Sequence, residues 1–152
     1  FITDGKKNIL PGNGLIKGDA RALSDKSNDI IEKSMKEIVE GMALANGIKA
    51  SVNYIRNCPV TINADSPTLN AAKTAKNLVG EDYVNDNCEP RLFSEDFSIM
   101  SQNKPGCFVL MGNGTKGSNA QPLHSSDYDF NDDALVVGSS YWSLLVEDIL
   151  NV

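Results

Sequence analysis

Apolar and polar residues alternate with two different periods in the first part of the chain, and each period predicts one kind of element. Residues 14–23 and 49–57 alternate at every second position, which is typical of a strand with one polar face. Between them, apolar side chains recur every three or four positions, which predicts a helix that Ser24 caps and Gly47 ends. The apolar positions of this helix are Ile31, Met35, Ile38, Met42 and Ala45.

The order of these elements predicts part of a ferredoxin-like βαββαβ unit. Residues 1–23 form two extended segments around the turn residues PGNG at 11–14, so residues 1–60 give strand, strand, helix and strand. The opening strand and helix of such a unit are missing. A three-stranded sheet with one helix leaves apolar surface and a sheet edge open. Since the sequence also starts at Phe1 and not at a methionine, we expect it to be part of a longer protein.

Helical patterns dominate the second half of the chain. Residues 66–79 have the pattern of an amphipathic helix that ends at Gly80. Residues 94–102 predict a short helix with Ser94 as its N-cap. Residues 107–111 (CFVLM) are continuously apolar, which suits a strand buried on both faces.

A last helix follows these elements, with Asn131 or Asp132 as its N-cap. Strands that alternate with helices predict an α/β layer, although one strand and three helices do not complete it. The fold class is therefore α/β, with a partial lid-like α+β unit first. The predicted domains are residues 1–60 and residues 61–152.

Composition and charge exclude two classes of partner. Acidic residues outnumber basic ones by 20 to 14, and a chain without a basic stripe is not expected to bind nucleic acid. No apolar run approaches the roughly 20 residues of a membrane span. Cys58, Cys88 and Cys107 are widely spaced without a CxxC pair, which favours reduced thiols over a disulfide framework. We expect a cytoplasmic protein that binds neither nucleic acid nor membranes.

The glycine-rich segment GNGTKG at 112–117 matches the letters of a dinucleotide-binding motif without its context. Phosphate binding at such a motif requires a helix that starts in the loop, and here a proline-containing segment without helical period follows. A glycine-rich turn after the 107–111 strand is the better interpretation. Gly112 and Gly114 are still candidates to present backbone N–H groups to a substrate.

His124, the only histidine of the chain, is followed by a run of acids between Asp127 and Asp133. The run begins like a calcium-binding EF-hand loop, but it lacks the required glycine and the terminal glutamate. The acids suit the first turn of the following helix. A lone histidine is usually structural or exposed, whereas a zinc site needs three or four ligands. His124 is therefore a metal ligand only if the others come from elsewhere.

Four segments together resemble the hippurate hydrolases, N-acyl amino acid amidohydrolases and auxin-conjugate hydrolases. NILPG at 8–12 with GDARAL at 18–23 resembles the family's NVIP and GxxR segment, and SEDFS at 94–98 resembles its SEDF motif. PGCFVLMGNG at 105–114 resembles its PGxFxxLGxG strand, and PLHSSDYDFNDDAL at 122–135 its PLHSPxFDxxDxAL segment. The order and the spacing also agree, which makes the resemblance specific.

The resemblance implies a di-metal catalytic α/β domain that a smaller βαββαβ lid domain interrupts. Residues 1–60 then correspond to part of the lid, and residues 61–152 to the C-terminal segment of the catalytic domain. The family's other metal ligands, its catalytic glutamate and the lid histidine lie upstream of the matched region, so no catalytic residue is expected here.

Individual residues take roles from the motifs they match. His124 matches the last metal ligand, and Asn8 and Arg21 match lid positions that bind the substrate carboxylate, often in the partner subunit's site. An amide and a guanidinium fork suit a carboxylate. The alternatives are a turn-forming asparagine and an arginine in a surface ion pair. Glu95 lies beside the site in the SEDF motif, without an assigned role.

The resemblance implies metal-dependent hydrolysis of N-acyl amino acids or similar small amides by the complete enzyme. It also implies zinc, manganese or cobalt as the metal and a homodimer formed through the lid. The isolated chain is expected to be inactive. The alternative is a non-catalytic ferredoxin-like dimerisation module, which has no need of the PLHS segment after the glycine loop.

Overall fold

In a computed structural model that describes residues 1–150, most of the regular elements are helices, and there is one small antiparallel sheet. The elements are β1 (Ile2–Thr3), β2 (Gly14–Leu15), α1 (Asp25–Asn46), α2 (Asp65–Val79), α3 (Phe97–Ser101) and α4 (Asp133–Leu150), with short 3₁₀ turns at Glu81–Tyr83 and Gly117–Ala120. The chain forms two compact units: unit 1 is residues 1–60 with 91–94, and unit 2 is residues 61–90 with 95–152. Within residues 1–150, no helix is long and apolar enough to cross a membrane.

The sheet of unit 1 is a short hairpin, in which Ile2 pairs with Leu15 and Thr3 with Gly14. Asp4 organises the turn between the strands, because its carboxylate accepts the backbone N–H groups of Gly12 and Asn13 and the side-chain amide of Asn13. These hydrogen bonds, those from Asn13 above all, lower the pKa of Asp4. The predicted 14–23 strand is wrong beyond Leu15, because residues 16–22 have no neighbouring strand to pair with in the described chain.

Helix α1 begins and ends where the sequence predicts. The Ser24 side chain accepts the backbone N–H of Ser27 at 3.1 Å, and Gly47 has the left-handed conformation of a C-terminal cap, with φ of 64°. Its apolar stripe is only partly covered. Ala43 is buried and Ile31 half-buried, whereas the other predicted apolar positions are exposed: Met35, Ile38, Met42 and Ala45.

The predicted 49–57 strand is not a strand in the structure, although its side chains alternate as expected. Val52 and Tyr54 are half-buried between exposed neighbours. Tyr54 donates its hydroxyl to Asn28 of α1, and Arg56 binds the carboxylate of Glu32 at 2.6 Å. Side chains thus attach the segment to α1, but a strand also requires backbone pairing, which it lacks within residues 1–150. The ferredoxin-like lid therefore stays a prediction.

Unit 2 is built on the packing of α2 against α4. Helix α2 begins at Asp65, close to the prediction, and ends before Gly80. The buried residues of α2 are Ala71 and Thr74, both of them small. Thr74 is 1% exposed and donates its hydroxyl to the Asp148 carboxylate at 2.7 Å. This hydrogen bond satisfies a polar group that the interface would otherwise leave unpaired.

The predicted 107–111 strand is wrong in two respects. It forms no ladder, because the side chain of Asn63 takes the place of a neighbouring strand: its amide accepts the N–H of Phe108 at 2.8 Å and donates to the carbonyl of Phe108 at 3.1 Å. It is also not buried on both faces, since Val109, Leu110 and Met111 are each about half exposed. A side-chain amide can pair with one residue only, so the pairing does not propagate.

The predicted cap of the short helix is also wrong. Helix α3 begins at Phe97 after Asp96, and Ser94 belongs to unit 1, where its hydroxyl accepts a hydrogen bond from Arg21 at 3.2 Å. The aromatic ring of Phe97 lies so close to Gly106 that a Cβ there would meet ring atom Cζ at 2.9 Å. A side chain at position 106 would therefore force the Phe97 ring to move.

The chain leaves much apolar surface open. Its accessible surface is 12519 Å², whereas a compact protein of this mass exposes about 7500 Å², and two separate compact bodies of half the mass about 9000 Å². The buried apolar residues within residues 1–150 are Ala43, Ala71 and Ala134, all of them small. We conclude that apolar surface of these helices is available for further packing.

Candidate functional site

The glycine-rich loop of unit 2 is held in place by Asn113, between Gly112 and Gly114. The Asn113 amide nitrogen donates to the carbonyl of Asn119 at 3.1 Å and to that of Asp129 at 2.7 Å. Its oxygen accepts the backbone N–H of Asn131 at 2.8 Å. Residues 112–114 are irregular, residues 115–116 form a bend, and a single 3₁₀ turn begins at the last residue of the segment and covers 117–120.

The two glycines have different environments. A Cβ at Gly114 would meet the Cβ of Asn119 at 2.9 Å, and the φ of Gly114 is 145°, a conformation that other residues rarely adopt. A Cβ at Gly112 would meet no atom within 4 Å. Gly114 is thus required by the close approach of the chain, whereas the backbone at Gly112 is open on its outer side.

His124 lies at the third position of a tight turn in which Ser125 donates its N–H to the carbonyl of Pro122 at 3.1 Å. Its φ of 68° makes it the one residue other than glycine with positive φ among residues 1–150. This position of a type II turn requires positive φ, which costs a side-chain-bearing residue conformational energy. The imidazole is exposed and makes no hydrogen bond to residues 1–150. Both ring nitrogens are therefore available.

Two polar residues that follow His124, Asp129 and Asn131, make side-chain hydrogen bonds within unit 2. Asp129 accepts the hydroxyl of Ser118 at 3.0 Å. The Asn131 side chain accepts the N–H of Asp133, the first residue of α4, at 3.2 Å. No group of three or more histidine, cysteine or acidic side chains within residues 1–150 is arranged to hold a metal ion.

The predicted carboxylate-binding residues belong to unit 1. Asn8 is exposed in the two-residue turn that the backbone bridge between Lys6 and Ile9 closes. Arg21 pairs with Asp19 at 3.0 Å and donates to Ser94, so it makes the surface ion pair that was its alternative interpretation. No direct contact joins Asn8 to Arg21 within residues 1–150. Their role in binding substrate stays a prediction.

Glu95 belongs to unit 2 and is half-buried just before α3. Its backbone carbonyl accepts the Ser98 hydroxyl at 2.6 Å, and Ser98 is 0% exposed. The SEDF motif therefore has a structural function at this point, because it closes the first turn of α3. The Glu95 carboxylate takes no part in this contact.

A separate cleft of unit 2 lies between α2 and α4. Its volume is about 280 Å³, and Ala71, Cys107, Tyr141 and Trp142 are among its lining residues. The hydroxyl of Tyr141 is buried without a hydrogen-bond partner in residues 1–150, and burial raises its pKa. The predicted site residues are not among those that line the cleft.

Sequence reasoning missed Asn113 and this cleft. The position of Asn113 between two glycines is a weak signal, because its partners lie between residues 119 and 131 and no local pattern reveals them. The cleft arises where helices distant in sequence pack, which periodicity alone does not predict.

Comparison with known proteins identifies the family. The profile of peptidase family M20/M25/M40 matches residues 3–148. The chain belongs to this family. It is 34% identical over 138 residues to the hippurate hydrolase of Campylobacter jejuni, covering 91% of this chain and 35% of that protein. The resemblance inferred from the four motifs is confirmed at family level.

Two further relatives have related names. An IAA-amino acid hydrolase of Arabidopsis thaliana is 30% identical, with 92% of this chain and 33% of that protein covered. Thermostable carboxypeptidase 2 of Saccharolobus solfataricus is 28% identical, with 92% and 35% covered. The chain spans about a third of the length of the curated relatives it matches. No solved structure matches it significantly.

Members of this peptidase family are generally metal-dependent. The described residues fit such a metal as one ligand of several, because the His124 imidazole is exposed and unpaired while no three-ligand group exists within residues 1–150. A single imidazole does not hold a divalent ion tightly. Any metal site that uses His124 must therefore draw on further ligands.

Proposed function

We propose that the full-length protein containing this sequence hydrolyses the amide bond of N-acyl amino acids or similar small amides, with divalent zinc, manganese or cobalt as cofactor. The observation that carries the proposal is the His124 turn, which presents an unpaired imidazole in a chain of a hydrolase family. The relatives named hippurate hydrolase and IAA-amino acid hydrolase support this substrate class.

Each predicted residue has a defined part in the proposed reaction. When bound, the divalent ions activate a water molecule and polarise the amide carbonyl. His124 supplies one neutral imidazole nitrogen as a ligand. The open backbone at Gly112, held by the packed Gly114, presents an N–H group to the substrate. Asn8 and Arg21 orient the substrate carboxylate. The proton is transferred by a glutamate outside this chain.

Removal of the metal tests the proposal. We expect the full-length protein to release glycine from N-benzoylglycine, or the amino acid from another N-acyl amino acid, and to lose this activity on dialysis against a chelator. Zinc, manganese or cobalt should restore it, because without the metal the water is not activated at neutral pH. Released amino acid and bound metal are measured in the same samples.

Two results would contradict the proposal. Hydrolysis that persists when the metal content has fallen to zero would exclude the metal-dependent reaction. A full-length protein that hydrolyses no N-acyl amino acid with any of the three metals, yet assembles stably, would favour the non-catalytic dimerisation module. A buffer sample carried through the same dialysis controls for residual metal.

We also propose that the protein forms a homodimer through α1. The support is the exposed apolar stripe of α1, on which Met35, Ile38 and Met42 are between 40% and 62% exposed. A helix in water normally turns such a face toward another element. A two-fold axis would allow the same stripe of a second copy to cover it.

Self-association of the chain tests this second proposal. At micromolar concentration we expect sedimentation to show a species of twice the 16.4 kDa monomer. Ile38→Asp with Met42→Asp should shift it to monomer, because two carboxylates would have to be buried in the interface. Glu40→Gln, elsewhere on α1, is the matched control and should leave the dimer intact. A monomer at high concentration, or a dimer that the double variant does not weaken, would exclude this interface.

A further inference from the structure

A single side chain closes the loop that presents His124. The Asn113 amide nitrogen donates both of its hydrogens, one to the carbonyl of Asn119 and one to the carbonyl of Asp129. His124 lies midway between these two carbonyls along the chain. Both ends of the segment 119–129 are therefore bonded to the side-chain amide of Asn113, and His124 is the middle residue of this segment.

We propose that Asn113 is a positioning residue that fixes the His124 loop, and through it the imidazole, for metal binding. The importance of the imidazole itself rests on the proposed function, whereas the closure of the loop rests on the hydrogen bonds alone. No residue of the four matched motifs had been assigned this role.

Asn113 makes more hydrogen bonds across the base of the loop than any other side chain of the described residues. The one further side-chain bond across the base of the loop within residues 1–150 is that of Ser118 with the Asp129 carboxylate, at an exposed position. The turns inside the loop, Pro122 to Ser125 and Ser125 to Tyr128, are local and do not join its two ends. An exposed loop whose ends are not joined samples many conformations.

The residues around Asn113 also favour its hydrogen bonds to the loop. Gly114 lets the chain pass close to Asn119, where any Cβ would meet the Asn119 side chain. The amide oxygen of Asn113 accepts the N–H of Asn131, whose side chain in turn accepts the N–H of Asp133, so Asn113 is connected to the start of a long helix. Asn113 thus connects the loop that contains His124 to α4.

The substitution Asn113→Asp removes the two hydrogen bonds that close the loop and keeps the one from Asn131. The carboxylate keeps an oxygen to accept the N–H of Asn131, but it has no hydrogen to donate and faces two carbonyl oxygens. Asn113→Ala removes the same donors without adding charge. The control is Asn119→Asp, which adds the same charge nearby while the Asn119 backbone carbonyl stays available to Asn113.

Hydrogen exchange and metal affinity of the full-length protein test the proposal. In the metal-free protein, we expect Asn113→Asp and Asn113→Ala to accelerate amide exchange in residues 119–129 by about tenfold or more, with α2 and α4 unchanged. The affinity for zinc should fall by about 10- to 100-fold, the range found when a group that orients a ligand is removed. Asn119→Asp should change neither quantity.

Each alternative outcome would overturn either the role of Asn113 or the proposed function. Unchanged exchange in both Asn113 variants would overturn the proposal, as would a general loss of protection in which α2 and α4 exchange equally fast. Faster exchange with unchanged zinc affinity would overturn the positioning role if His124→Ala does weaken zinc binding. If His124→Ala leaves zinc binding unchanged, the proposed function fails, and the exchange data alone still decide whether Asn113 closes the loop.

Discussion

In the full-length enzyme, His124→Ala should lower activity by several orders of magnitude while the fold stays intact. The substitution removes one nitrogen ligand from a metal, so the ion is lost or the water that it activates is misplaced. The fold is expected to tolerate it, because the imidazole is exposed and makes no hydrogen bond to residues 1–150. Metal content, activity and thermal unfolding of the variant are compared with those of the unmodified protein.

Alanine at this position must also adopt a positive φ. The conformational energy of this backbone geometry is somewhat higher for alanine than for histidine. His124→Asn is a second variant, since asparagine accepts this conformation readily and still lacks the imidazole. Both variants should lose activity if the metal bond matters. Recovery of full activity in His124→Asn would mean that the backbone of the turn, and not the imidazole, is what the reaction requires.

The acids after His124 provide the matched controls for the metal. Asp133 opens α4, where a negative charge contributes at most about 1 kcal/mol to the free energy of unfolding. Asp132→Asn and Asp133→Asn should therefore leave metal content and activity nearly unchanged. If these variants lost the metal while His124→Ala kept it, the ligand would be the carboxylate run and the assignment of His124 would be wrong.

Helix ends were predictable because their signals are local. Ser24 and Gly47 act on backbone groups within four residues, and both capping predictions are confirmed. Ser94 shows the limit of this reasoning. It has the right residue type beside a short helix, yet its hydroxyl accepts a hydrogen bond from Arg21, which is 73 residues away in the sequence. A cap prediction fails when a long-range donor competes for the same oxygen.

Strands were less predictable because a strand depends on its neighbour. Residues 49–57 have the side-chain alternation of a strand, and Tyr54 and Arg56 contact α1, but no backbone partner lies beside them within residues 1–150. At Phe108 the partner is a side-chain amide, that of Asn63. Periodicity specifies which face of a segment is apolar. It does not specify whether another strand is present to pair with it.

The motif that contains His124 could be recognised in the sequence, whereas the contacts that hold its loop could not. The PLHS segment identifies His124 through residues adjacent in sequence, and the turn geometry at His124 agrees with an exposed position. The closure of the loop by Asn113 depends on contacts with Asn119 and Asp129 that no local pattern encodes. The roles of Asn8 and Arg21 depend on a bound substrate and on a partner subunit, and they stay predictions.

The chain of residues 1–152 by itself should not hydrolyse N-acyl amino acids, even with added zinc, manganese or cobalt. Within residues 1–150, His124 is not joined by a group of acidic, cysteine or histidine side chains that could complete a metal site. A water molecule that is not held by a tightly bound ion keeps its ordinary high pKa and does not attack an amide at neutral pH. We therefore expect a rate equal to that of the buffer with metal alone.

The full-length protein, assayed at the same concentration and metal content, is the positive control for this experiment. A weak signal from a contaminating hydrolase is recognised by preparing His124→Ala of residues 1–152 in parallel, because a contaminant contributes equally to both samples. Turnover that depends on added metal, follows the chain through purification and disappears in His124→Ala would show that residues 1–152 assemble a complete site. Ligands would then have to come from a second copy of the chain, and the assignment of the base and the remaining ligands to sequence outside it would be wrong.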